Sequence, residues 1–103
     1  MCGIAGILSL APGAPPRARG ELDAMIARLG HRGPDGTGVR IDGPAGLAHS
    51  RLAIIDLAGG DQPIRNETGT VWVVYNGEIF NYVELRRDLE ARGHRFYTHS
   101  DTE

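Results

Sequence analysis

Apolar residues run almost unbroken through GIAGILSL, residues 3–10, and stop at the Pro/Gly-rich stretch APGAPPRARG. That pattern predicts a strand buried on both faces, followed by a loop. The rhythm then changes. Leu22, Met25, Ile26 and Leu29 follow the i, i+3, i+4, i+7 spacing of an amphipathic helix, with Gly30 as its stop. HRGPDGTG, residues 31–38, is too rich in glycine and proline for regular structure and is expected to be a loop with several positive-φ turns. Residues 39–41 and 46–55 read as strands joined by an Asp42-Gly43-Pro44 turn, DLAGGDQPIRNETG as a second long loop, and 72–75 as a further strand. Asn81 and Glu84 have the spacing of a capping box, Leu85 and Leu89 share a face, and Gly93 ends that helix. Residues 94–99 alternate as a strand. Ser100-Asp101-Thr102-Glu103 is again a capping box, so the chain is expected to break off inside a domain as a helix is announced. Strands and helices mix without strict βαβ alternation, which places the chain in the α+β class rather than among nucleotide-binding sheets.

Composition narrows this further. At 103 residues there is room for one small domain. Hydrophobic content of 41%, charged content of 23% and a net charge of -2 describe an ordinary globular chain. They give no electrostatic reason to expect nucleic acid or an anionic membrane as partner. The apolar start lacks the positive segment of a secretory signal and is too short to span a bilayer. Cys2 is the single cysteine, so no internal disulfide forms; His31, His49, His94 and His99 are too scattered for zinc-finger spacing. A reducing cytoplasm is the expected compartment.

Cys2 lies directly behind the initiator methionine, at the mouth of the first strand. A free cysteine is often just a small core hydrophobe. Once Met1 is removed, however, one residue carries both a thiol and a free α-amine, groups close enough in acidity for the amine to take the thiol's proton. Attack on an amide then builds an oxyanion, which needs donors already in place. Asn76-Gly77 offers a side-chain NH2 and a backbone N–H; the same dipeptide is the strongest short signal of a type I′ hairpin, and both readings stand. Arg51 suits a carboxylate, and Glu78 and Asp101 suit an ammonium, although each taken singly is as consistent with a solvated salt bridge. His31 and His49 read as loop and core histidines rather than as a general base. The run G-P-D-G-T-G has neither dinucleotide order nor the P-loop lysine.

Taken together, MCGIAGI, HRGPDGTG, LAHSRLAIIDL with GGDQP behind it, VYNGEIFNY and SDTE make the chain resemble class II glutamine amidotransferases over nearly its whole length. The nearest likeness is to the N-terminal glutaminase domain of glutamine-hydrolysing asparagine synthetases. The resemblance implies an αββα sandwich of stacked antiparallel sheets of the N-terminal nucleophile hydrolase type, incomplete in residues 1–103. It implies Cys2 as the attacking thiol and Asn76 and Gly77 as oxyanion donors. It assigns Arg51 to the α-carboxylate of L-glutamine, Glu78 and Asp101 to the α-amine, and backbone around Leu52, Ala53, Ile54 and Ile55 to the pocket. The products are ammonia and, through a thioester, glutamate. No cofactor or metal is expected in this chain; ATP and magnesium belong to a synthetase domain that amidates aspartate and is expected to be absent here. Two alternatives accompany this reading: a truncated, non-catalytic paralogue that binds glutamine or a synthetase partner, and the same module serving another carboxylate acceptor.

Overall fold

The computed structural model describes residues 1–54 and 58–103. Three strands, β1 (Gly3–Leu8), β2 (Gly36–Asp42) and β3 (Ala45–Arg51), form an antiparallel sheet in the order β1-β3-β2. Gly43, at φ 53°, makes the turn from β2 to β3. The register sets Ala5 and Val39 opposite Ala48, and Ile4 and Gly38 opposite His49. Side chains alternate with period two, so these two rows lie on opposite faces.

Helix α1 (Arg19–Leu29) covers the face bearing Ala48. Leu22 and Ile26 are buried against Ala48, with Ala5, Leu29, Val39 and Ile41 packed around them. Burying a leucine such as Leu22 contributes about 1.5–3 kcal/mol. The helix seats close because the sheet offers glycines: a Cβ on Gly46 would stand 2.5 Å from Leu22 Cδ1, and one on Gly3 2.8 Å from Leu29 Cβ. Arg17 fastens the entry to α1, its guanidinium gripping Glu21 by two nitrogens and donating to Ser9 Oγ at 2.7 Å. Two expectations change here. Met25 lies at the margin of the buried stripe and is partly exposed, and β1 is covered on one face only, leaving Ile4 and Leu8 exposed on the other.

HRGPDGTG is also more regular than its composition suggests. Strand β2 begins at Gly36, and Gly33, Gly36 and Gly38 are not among the positive-φ glycines. Glycine is needed in this segment for close approach, since a Cβ on Gly33 would lie 2.2 Å from the Ser50 carbonyl oxygen. The predicted strand 46–55 stops at Arg51, and its residue 55 lies outside those described.

Beyond it, β4 (Ile64–Arg65) pairs with β5 (Trp72–Val73), so the second long loop contains a short strand and the predicted 72–75 strand is shorter than expected. Asn66 closes the intervening turn by accepting the Thr70 and Val71 N–H groups, and Gly69 sits at φ 73°. The Arg40 guanidinium, on the sheet face away from α1, stacks over Trp72 at 4.3 Å.

Helix α2 (Tyr82–Ala91) starts at Asn81, whose side chain makes no capping bond, so the Asn81/Glu84 capping box does not form. Gly93, at φ 96°, follows its last turn as expected. None of its residues is buried; Leu85 and Leu89 share a face that stays open among the described residues.

Residues 94–99 are not a strand, because side chains take the backbone bonds a ladder would use. Glu67 accepts Arg95 N–H, Glu103 accepts the N–H groups of Tyr97 and Thr98, and Tyr97 Oη bonds both the N–H and the carbonyl of Arg65. Glu103 therefore reaches past Ser100, and the terminal capping box is replaced by a turn in which Ser100 Oγ accepts Thr102 N–H at 3.2 Å.

Candidate active site

A cleft of about 320 Å³ opens beside the first residues of β1, on the side of the sheet away from α1. Cys2 lines it. The Leu52 N–H donates to Cys2 Sγ at 3.2 Å, and the thiol lies 3.5 Å from the Leu52 carbonyl oxygen. Leu52 follows the last residue of β3, so the register of β1 on β3 carries the thiol to this peptide.

The HRGPDG segment holds that peptide in place. Asp35 Oδ2 accepts the Ala53 N–H at 2.8 Å, and the Asp35 N–H donates to the Arg51 carbonyl at 2.9 Å. Ser50 Oγ donates to the Gly33 carbonyl at 2.7 Å, and Arg32 Nε donates to the Cys2 carbonyl at 3.3 Å. One short loop thus clamps both chain segments that meet at the sulfur.

Asn76, Gly77 and Glu78 form another wall of the cleft. The type I′ hairpin reading fails: no strand follows Gly77, which is not among the positive-φ glycines, and the chain passes into α2 instead. A Cβ on Gly77 would stand 2.4 Å from the Tyr75 hydroxyl, so the Tyr75 ring lies close over this glycine. Asp101 also lines the cleft; its Oδ2 accepts the Ile79 N–H at 2.8 Å and steadies the turn entering α2.

Arg51 is 7% exposed, and its Nη1 contacts Asp61 Oδ1 at 2.8 Å. The Asp61 side chain is 83% exposed, so this pair is weakly held. His49, fully buried beside it, also lines the cleft, and neither ring nitrogen completes a hydrogen bond among the described residues. Burial lowers its pKa below the ordinary 6.5; the nearby Tyr75 backbone opposes that, Arg51 adds to it, and Asp61 opposes it. The imidazole is consequently neutral at pH 7.

Of the predicted site residues, Cys2, Arg51, Leu52, Ile54, Asn76, Gly77, Glu78 and Asp101 share this one cleft. Ala53 does not line it and serves the Asp35 clamp, while Ile55 lies outside the described residues. Sequence reasoning missed His49, Gln62, Tyr75 and Thr102 as cleft walls, and Asp35 as the support behind Leu52. The GGDQP and HRGPDG motifs marked these neighbourhoods without showing what they touch. Among the described residues, no group of three or more His, Cys, Asp or Glu side chains could hold a metal ion, and no helix is long and apolar enough to cross a membrane.

A thiol that shares a small cleft with polar and charged side chains on an antiparallel α+β frame has the chemistry for nucleophilic attack on a small polar substrate. The chain belongs to the glutamine amidotransferase domain family, whose model matches residues 1–103. It is 45% identical over 104 residues to asparagine synthetase [glutamine-hydrolyzing] 1 of Bacillus subtilis (strain 168), covering all of this chain and 16% of that protein. The asparagine synthetase [glutamine-hydrolyzing] of Sandersonia aurantiaca is 48% identical over 103 residues, again across the whole chain and 19% of the relative. Asparagine synthetase [glutamine-hydrolyzing] 1 of Arabidopsis thaliana is 46% identical, with 17% of its length covered. The chain therefore spans less than a fifth of the length of these relatives.

Proposed function

We propose that this chain carries the glutaminase site of an amidotransferase, hydrolysing L-glutamine to glutamate and ammonia. The observation that carries the reading is the meeting of Cys2 with Arg51, Asn76, Gly77, Glu78 and Asp101 around a single small cleft. In this reading Met1 is removed and the α-amine of Cys2 takes the thiol proton. The sulfur attacks the side-chain amide carbon, and the resulting oxyanion is received by the Asn76 side-chain NH2 and the Gly77 N–H. Collapse expels ammonia, with the proton from the α-amine going to the leaving nitrogen, and leaves a thioester at Cys2. Water attacks the thioester, releasing glutamate and returning the thiol.

Arg51 binds the α-carboxylate, which joins or replaces the exposed carboxylate of Asp61. Glu78 and Asp101 hold the α-ammonium, and the backbone of 52–55 closes the pocket. The frame we infer is the αββα sandwich of N-terminal nucleophile hydrolases. The α1-covered sheet supplies its first two layers, and the β4-β5 pair begins the third. The partner we propose is an ATP- and magnesium-dependent synthetase domain or chain that consumes the ammonia to amidate aspartate, in the cytoplasm.

The test is ammonia release from glutamine by the complete gene product and by Cys2→Ala, with intact mass measured on both. Activity in the wild type with Met1 absent, and its loss in Cys2→Ala, is expected. Equal release from the two proteins rejects the reading.

A further inference from the structure

Gln62 makes a set of contacts that none of the roles above uses. Its side-chain amide faces the main chain of Tyr75 and closes both of that residue's backbone bonds. Oε1 accepts the Tyr75 N–H at 2.5 Å, and Nε2 donates to the Tyr75 carbonyl at 3.1 Å. The same Nε2 lies 3.3 Å from Thr102 Oγ1, next in sequence to Asp101.

This arrangement does the work of a missing strand. β5 ends at Val73, so Tyr75 has passed beyond the ladder with β4, and an unpaired backbone there would be costly to hold in one geometry. A primary amide presents a donor and an acceptor side by side, as a peptide group does. Neither a carboxylate nor a thioether can supply that pair. The backbone from which the amide projects lies close against β2: a Cβ on Gly38 would stand 1.9 Å from the Gln62 carbonyl oxygen. A chain of close contacts therefore runs from the central sheet through Gln62 to the residue immediately before Asn76-Gly77.

We infer that Gln62 is the positioning residue of the oxyanion donors, setting the height and orientation of Tyr75-Asn76-Gly77 against Cys2 and tying that segment through Thr102 to the Asp101 side of the cleft. The inference rests on the glutaminase reading above and deepens it. Donor placement matters most where negative charge develops, so loss of Gln62 acts on the transition state more than on substrate binding.

Gln62→Met and Gln62→Glu in the complete gene product test this. The first removes both bonds; the second keeps the volume and the acceptor for Tyr75 N–H but turns the donor into an oxygen facing the Tyr75 carbonyl, so the test survives if the methionine variant misfolds. The expected result is a fall in glutaminase kcat of about tenfold or more with KM changed by less than about threefold. An aldehyde analogue of glutamine, which forms a tetrahedral adduct with a thiol, should bind at least about tenfold more weakly, while glutamate binding stays within about twofold. Amide hydrogen exchange across 75–77 should quicken, a readout that does not depend on turnover. Unchanged exchange, or aldehyde and glutamate affinities that fall together, overturns the positioning role. A wild type that is active, a Cys2→Ala that is dead and Gln62 variants at wild-type kcat overturn this inference alone. A wild type that releases no ammonia overturns the glutaminase reading and removes the catalytic meaning of the strut with it.

Discussion

The backbone N–H of Leu52 donates to the sulfur of Cys2 at 3.2 Å across 50 positions of chain, and Leu52 is held there by a third party, Asp35, which binds the next N–H, that of Ala53. The thiol's placement thus depends on a carboxylate that does not touch it.

Asp35→Ala leaves the Ala53 N–H without its partner and loosens the 51–53 turn. The expected loss is about 1–2 kcal/mol of stability. Glutaminase kcat should fall by about tenfold, because small displacements of a positioned nucleophile are expensive. Asp35→Asn keeps an acceptor oxygen and should retain most of both. Chemical denaturation and ammonia release measure the two effects, and a wild-type kcat in Asp35→Ala would show that the clamp is irrelevant to the thiol.

Asn76→Ala removes one of the two proposed oxyanion donors. Removal of such a donor elsewhere lowers kcat by about 10²–10³-fold, and the same is expected here. Asn76 is only half-buried, so folding stability should change by less than about 1 kcal/mol. Steady-state kinetics beside a thermal melt separates the outcomes. A change confined to KM would assign Asn76 to substrate binding instead.

Gly38→Ala and Gly36→Ala form a contrast within β2. A Cβ at Gly38 would sit 1.9 Å from the Gln62 carbonyl oxygen, a backbone atom that cannot swing aside, whereas one at Gly36 meets nothing within 4 Å. The first variant should lose about 3 kcal/mol or more and the second less than about 1 kcal/mol. Denaturant midpoints decide the matter; equal midpoints would mean that residues 62 and 38 do not touch in solution.

His49 predicts a pH dependence of a definite sign. Burial holds its folded-state pKa below the ordinary 6.5, so as pH falls through 6.5 the unfolded chain takes up a proton that the folded chain refuses. Stability contributed by the neutral ring is present above pH 6.5 and is lost as pH falls from there toward the lowered value. Unfolding free energy measured from pH 7.5 down to 5 should decline, with a shallower slope in His49→Gln. Parallel slopes for the two proteins would exclude His49 as the source.

Much of this molecule was legible before any coordinates. The stripe Leu22, Ile26 and Leu29 specified α1 and its buried face, Asp42-Gly43-Pro44 marked the β2–β3 turn, and Gly93 stopped α2. These are local matters, settled by helical period and by the conformational freedom of glycine within a few residues. Cys2, Arg51, Asn76, Glu78 and Asp101 could be singled out by the chemistry of their side chains, and Gly77 by its place beside Asn76; the structure brings all six to one cleft.

Tertiary structure alone decided how the backbone's hydrogen bonds are shared. The 94–99 segment alternates like a strand, yet Glu67 and Glu103 take its N–H groups, and the Asn81/Glu84 pair has capping-box spacing without the capping bond. Asp35, Gln62 and Thr102 gave no sign of what they touch, since their partners Ala53, Tyr75 and Gln62 are remote in sequence. The sequence by itself determined which elements form locally and which residues bear reactive groups. Which donor meets which acceptor across 13, 18 or 50 positions was decided only when packing put them within 3.5 Å, because a hydrogen bond depends on distance and angle and not on separation along the chain.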